Sequence, residues 1–223
     1  LQLKSVSMVV TSLIVTQMAW KSASVASYVH GHVQQMRFML KVDARDASGE
    51  FSVLRAPGAA TEIGGPYALV PRAELDEMKK VFNENAREVG TWSLDAERVA
   101  AGRPRHGVDT DHKTIPNELG VLNKDVHLNK GCYRGQETVA KIYNLGKPPR
   151  RLVMLHLDGH AVVMPPSGTP VMNGENQVGF LGTVARHHEL GPIALAVVKR
   201  NTPVDAQLTV EGVAASQQII VEA

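Results

Sequence analysis

The chain's only cysteine, Cys132, sits in the string Lys130-Gly131-Cys132-Tyr133-Arg134-Gly135-Gln136-Glu137. Cations two residues to either side would favour a thiolate, which is both a nucleophile and a metal ligand. Gly131 and Gly135 permit close backbone approach to whatever the thiol meets. Positive charge gathers in the same place: residues 130–151 carry Lys130, Arg134, Lys141, Lys147, Arg150 and Arg151 against one acid, Glu137, a net +5 in 22 residues. The whole chain has 24 Lys and Arg, 22 Asp and Glu and a formal charge of +2, which leaves −3 for all other residues. Two readings stay open. One is a solvated basic face with an inert cysteine buried in the core; the other is a working thiol, Cys132, assisted by Lys130 in a cationic site.

Composition limits what can surround such a site. With 43% hydrophobic and 21% charged residues in 223, the chain can bury a real core, as one large domain or two to three small ones. One cysteine excludes an internal disulfide framework and any all-cysteine zinc or cluster site within one chain, and fits a reducing compartment, read here as the cytoplasm. The global charge is too balanced to argue nucleic-acid binding. At 4% aromatic residues there is also little for base stacking, so an RNA-binding module ranks last. The apolar stretch Met8 to Trp20 is interrupted by Thr11, Ser12, Thr16 and Gln17 and falls short of the ~20 apolar residues of a membrane span, so neither a span nor a secretory leader is expected. The first residue is Leu1 rather than Met, which suggests a start inside a longer product.

The elements that must position the motif follow from periodicity. Val25, Tyr28, Val29, His32, Val33 and Met36 recur at helical spacing, with Ser22 or Ser24 as N-cap, and predict a helix over 23–36. Phe38, Leu40 and Val42 alternate, as do Phe51 and Val53, with Asp46, Ser48 and Gly49 between, which reads as an antiparallel hairpin. A third strand is expected from Tyr67 to Val70, and Pro71 opens a helix bearing Leu75, Met78 and Phe82. Trp92 to Ala101 forms another, stopped by Gly102 and Pro104. From Arg151 onward short runs, Leu152–Leu157, Gln177–Ala185, Ile193–Lys199, Leu208–Val210 and Ile219–Val221, are separated by Pro, Gly and Asn turn signals, indicating a small barrel or sandwich. Gly179 and Gly182 within one run predict a bulge or a sharp bend where the sheet curls. The fold class is therefore α+β in three regions: 1–90, an α+β (ferredoxin-like) layer; 91–147, a helix and loop segment carrying the cysteine motif; and 148–223, a C-terminal β-barrel, with Lys147-Pro148-Pro149 as the junction.

The eight-residue string resembles the signature of the YgfZ family of folate-binding proteins, relatives of the glycine-cleavage T protein, an aminomethyltransferase. Further stretches are similar in order: Glu97 to Pro104, Gly107-Val108-Asp109-Thr110-Asp111, Thr114-Ile115-Pro116-Asn117-Glu118, Gln35 to Phe38, Gly179 to Val184 and Ile193-Ala194-Leu195. The resemblance covers roughly residues 22–222; residues 1–21 do not share it, although in the family that portion supplies part of the folate pocket and, in true aminomethyltransferases, a catalytic aspartate. It implies an aminomethyltransferase-like fold with the motif segment packed against the barrel. It also implies a tetrahydrofolate-binding accessory protein that supports iron–sulfur cluster synthesis or repair in client enzymes, including tRNA-modifying ones. The alternative is a folate-dependent aminomethyltransferase of the glycine-cleavage type.

A reduced pterin offers an amino group and a ring N–H side by side, and one carboxylate can accept from both. Glu118 resembles the family's pterin-facing acid, and is otherwise a helix-start carboxylate. The anionic glutamate tail of folate would meet Lys147, Arg150 or Arg151, with Arg151 preferred because it opens a strand. Tyr133 can stack on a ring or fill the core. Gly135 sets a turn, and Gln136 and Glu137 bind ligand or cap the following helix. Asp109, Asp111 and His112 resemble metal ligands only superficially, and His187 and His188 are expected on opposite faces of a strand. No resident metal is expected, and the partners implied are a small-molecule folate and iron–sulfur client enzymes.

Overall fold

The computed structural model describes residues 7–10, 30–35, 43–47, 49–55, 67–84, 86–122, 126–133, 135–159 and 163–222. Residues 1–89 and 90–223 form two compact units. In the first, β1 (Ser7–Val10) and β2 (Asp43–Asp46) pair in parallel, while β3 (Phe51–Arg55) and β4 (Tyr67–Pro71) pair antiparallel with Val53 opposite Leu69. The partner of β3 is thus the expected third strand; residues 38–42, the other arm of the expected hairpin, lie outside the described residues. Residues 30–35 are helical, and the rest of the helix expected over 23–36 also lies outside them. Pro71 ends β4, a 3₁₀ turn follows at Arg72–Glu74, and α1 (Leu75–Asn83) then packs on β4 with Asp76 and Glu77 in its first turn, where the helix dipole favours acids.

The second unit holds α2 (Thr91–Ala100), the one-turn α3 (Pro116–Leu119), α4 (Gln136–Leu145) and a closed six-stranded barrel. Its strands are β5 (Arg150–Leu157), β6 (Pro170–Asn173), β7 (Asn176–His187), β8 (Gly191–Lys199), β9 (Leu208–Val210) and β10 (Val213–Ile219), in the spatial order β10-β5-β8-β7-β6-β9. Two strands are buried on both faces, which is why they read as unbroken apolar runs. Val153, Leu155 and Leu157 of β5 and Ala194, Ala196 and Val198 of β8 fill the barrel. Their neighbours Leu152, Met154, Ile193, Leu195 and Val197 face outward into a second core with Val99 of α2 and Val221. Val99 is fully buried there, a contribution of about 1.5–3 kcal/mol for such a side chain. α2 and α3 therefore lie on the barrel because the barrel's outer face is itself apolar.

The register shifts between Leu181 and Val184 against β8, and between Val171 and Met172 against β7, so the bulge expected around Gly179 and Gly182 is present. Space forces both glycines: a Cβ on Gly179 would collide with the Val197 carbonyl, and one on Gly182 with the Asp109 carboxylate. The last strand begins six residues earlier than the Ile219–Val221 run suggests and ends at Ile219, and β6 carries no apolar alternation that would announce it.

Candidate functional site

Asp109 fastens the loop after α2 to the barrel. Its fully buried carboxylate accepts from the Thr183 N–H at 2.5 Å, the Thr183 hydroxyl at 3.1 Å, the Arg105 N–H at 2.6 Å and Arg98 Nη1 at 2.9 Å. Arg98 also donates to the Thr183 hydroxyl at 2.6 Å and the Arg103 carbonyl at 2.7 Å, and Asp95 accepts from both Arg98 and Arg105. Burial pushes the Arg105 guanidinium below its ordinary range. This knot places the segment that begins with Gly107 and leads to Glu118.

Glu118 is buried without exposure in α3. Its carboxylate accepts from the Ile115 N–H at 3.2 Å, as a helix-start acid does, and from Arg150 Nε and Nη2 at 2.9 Å each. The same guanidinium holds Asp111 at 2.8 and 3.1 Å and touches the Thr114 hydroxyl at 3.3 Å. The Arg150 hydrogen bonds keep the Asp111 carboxyl well below the usual carboxylate range, and Asp111 in turn holds Arg150 above the usual guanidinium range. One arginine thus bridges two acids, and Glu118 has little acceptor capacity left. Beside it, the Asn117 side-chain oxygen is buried with no partner among the described residues.

Arg151 follows Arg150 on β5, and adjacent strand residues point to opposite faces. Its guanidinium is buried and donates to the Arg200 carbonyl at 2.6 Å, the Thr202 carbonyl at 2.7 Å and Gln217 Oε1 at 3.1 Å, tying the β8–β9 connection to β10. Of the two arginines, the one not preferred from sequence joins Glu118. Nothing local in the sequence announces the Arg150 pairings, which span 32 and 39 residues.

The motif loop is open. Cys132 is exposed, as is Lys130, whose ammonium lies 5.7 Å from the centroid of the half-buried Tyr133 ring, within cation–π range. Arg134 lies outside the described residues. Gly135 adopts φ 82°, a left-handed conformation that suits glycine, and forms the N-cap of α4. Gln136 and Glu137 occupy the first turn of that helix; the Gln136 N–H donates to the Tyr133 carbonyl at 3.1 Å. α3 packs against both α4 and β5, so the Glu118 cluster and the motif helix are neighbours.

His187 and His188 depart from expectation. β7 ends at His187, so the alternation of a strand does not extend to His188, and the two rings lie side by side with centroids 4.4 Å apart.

The fold these features define is aminomethyltransferase-like: a mixed α/β chain with a closed C-terminal barrel. The chain is similar in fold to the glycine cleavage system aminomethyltransferase T of Bartonella henselae, with a TM-score of 0.56 at 17% identity over 70% of this chain and 45% of that one. Residues 150–220 match the CAF17 C-terminal β-barrel domain. A chloroplastic protein of Arabidopsis thaliana named as a transferase is 25% identical over 67% of this chain and 31% of its own. Mitochondrial homologues of the iron–sulfur cluster assembly factor IBA57 from Aspergillus fumigatus and Neosartorya fischeri are each 25% identical over 71% of this chain and 38% of theirs. The solved-structure likeness shows the aminomethyltransferase-like fold, and the chain spans about a third of the length of the curated relatives it matches. Among the described residues no helix is long and apolar enough to cross a membrane.

Proposed function

We propose that this chain acts in iron–sulfur cluster assembly or repair, as an accessory protein of the YgfZ type whose working group is the Cys132 thiol. The observation that carries the reading is the exposure of Cys132 in a loop with Lys130 and Tyr133, where a client's cluster or a second thiol has access. A core cysteine would be enclosed. The relatives named as cluster assembly factors point the same way.

A reduced folate is the ligand proposed for the neighbouring acid cluster. The unpartnered Asn117 oxygen suits a pterin N–H, and Glu118 would supply a second acceptor once Arg150 turns fully to Asp111. Bound there, folate would supply a site for a one-carbon unit; the chain's part is to accept its N–H groups and meet its charge. Arg150 and Arg151 turn their guanidinium groups to partners within the fold, which weakens any reading of the basic segment as a nucleic-acid face. The proposed compartment is a reducing one, the cytoplasm or an organelle interior of the kind named for the relatives.

The test is a Cys132→Ala replacement in cells. The expected result is a near-native melting temperature with loss of activity in a cluster-dependent tRNA-modifying enzyme; full client activity would overturn the proposal.

A further inference from the structure

Where α2 meets the turn between β7 and β8, Glu97, His187 and His188 each bring a ligand atom within 4.8 Å of the others, and among the described residues they are the set of three that could hold a metal ion. The ligands differ in freedom. His187 is 7% exposed and fixed at the end of β7, with Nε2 3.6 Å from a Glu97 carboxylate oxygen. Glu97 and His188 are exposed side chains, 53% and 70%, that can rotate. Glu189 stands beside them, its carboxylate 3.8 Å from His188 Nε2. Tetrahedral coordination at a zinc–nitrogen length of ~2.1 Å needs donor atoms about 3.4 Å apart, so the mobile pair must close by little more than 1 Å around the fixed ring.

We propose that this corner binds a divalent first-row transition ion through Glu97, His187 Nε2 and His188, with Glu189 available as a fourth donor. Two imidazoles and carboxylates form a borderline donor set that suits zinc, cobalt, nickel or copper better than magnesium or calcium. Binding has a specific structural cost. Nδ1 of His187 accepts the Glu189 and Leu190 N–H groups at 3.2 Å each, which places the ring proton of the neutral imidazole on Nε2. A ligating Nε2 must give up that proton. In the neutral ligand it moves to Nδ1, and the two turn amides lose their acceptor. The ion therefore ties α2 to β7 while rearranging the turn.

Titration of the metal-free full-length protein with zinc chloride by calorimetry, followed by amide NMR, tests this. One saturable site per chain is expected, weakened about tenfold or more in His188→Ala and in Glu97→Gln and retained in Cys132→Ala. The Glu189 and Leu190 amide resonances should move on saturation. His188 and Glu97 are exposed, so these variants keep the fold, and unchanged amide spectra elsewhere in the metal-free variants check it. No saturable binding, binding that survives both substitutions, or binding lost only with Cys132 would overturn the site.

Discussion

Arg150 and Glu118 meet in a two-pronged ion pair, both contacts 2.9 Å, although one residue opens a barrel strand and the other lies 32 residues earlier in a single helical turn. The Glu118 side chain is 1% exposed and Arg150 18%, so neither charge is left to water.

Removing one partner leaves the other charged and poorly solvated. Arg150→Ala is expected to destabilise the protein by about 3 kcal/mol or more in chemical denaturation. Arg150→Met combined with Glu118→Leu should recover part of that loss, since the buried carboxylate is gone and the acid left without its partner, Asp111, is 31% exposed. Single substitutions costing under about 1 kcal/mol would show the pair to be incidental.

Acid should act through Asp111. Its folded carboxyl titrates below its unfolded value of ~3.9, so the stability it contributes is complete above about pH 5. As pH falls through the unfolded value, the unfolded chain takes up a proton that the folded chain still refuses. Stability then declines until folded Asp111 is protonated as well. Denaturation midpoints measured between pH 6 and pH 2 should show this fall, and Asp111→Asn should flatten it.

Two glycines make a matched test of space. Gly182→Ala drives a methyl into the Asp109 carboxylate and should cost several kcal/mol, about 3, because the Asp109 contact to the Thr183 N–H must break. Gly131→Ala meets nothing within 4 Å and should change the melting temperature by less than about 2 °C. Comparable losses in both variants would contradict the packing described.

The exposure of Cys132 predicts labelling by iodoacetamide in the native protein, complete without denaturant and at a rate within about threefold of that in urea. Labelling that waits for unfolding would place the thiol in the interior. Cys132→Ala should leave the denaturation midpoint almost unchanged.

The barrel was legible in sequence wherever a strand was apolar on both faces, as with Ile193 to Val198, or ended in a Gly or Pro turn. β10 was not, because Val213 to Ile219 is built from Ala, Ser and Gln, with only Ala215 buried, so its pairing and not its hydrophobicity defines it. β6 begins at Pro170 and is four residues long, too short to show a period. At the site, the motif string marked Cys132, and the Pro116-Asn117-Glu118 run marked Glu118 as a helix-start acid, while the ion pair that accompanies its burial comes from Arg150, 32 residues away. The Arg150 pairings and the His187–His188 contact depend on which side of a strand faces which loop, and on where that strand stops, and neither is written in residue spacing.

The ring order of the barrel has a consequence in time. β5 is bonded on one side to β8 and on the other to β10, so the first strand synthesised waits for the last before both its edges are covered. Arg150 has no such wait: Asp111 and Glu118 precede it and have already left the ribosome when it emerges. The acid cluster can therefore assemble on a nascent chain whose barrel is still an open sheet, and a message cut short before the codon for Val213 would yield a protein with its charged corner joined and its β5 edge bare, a template for pairing with other chains.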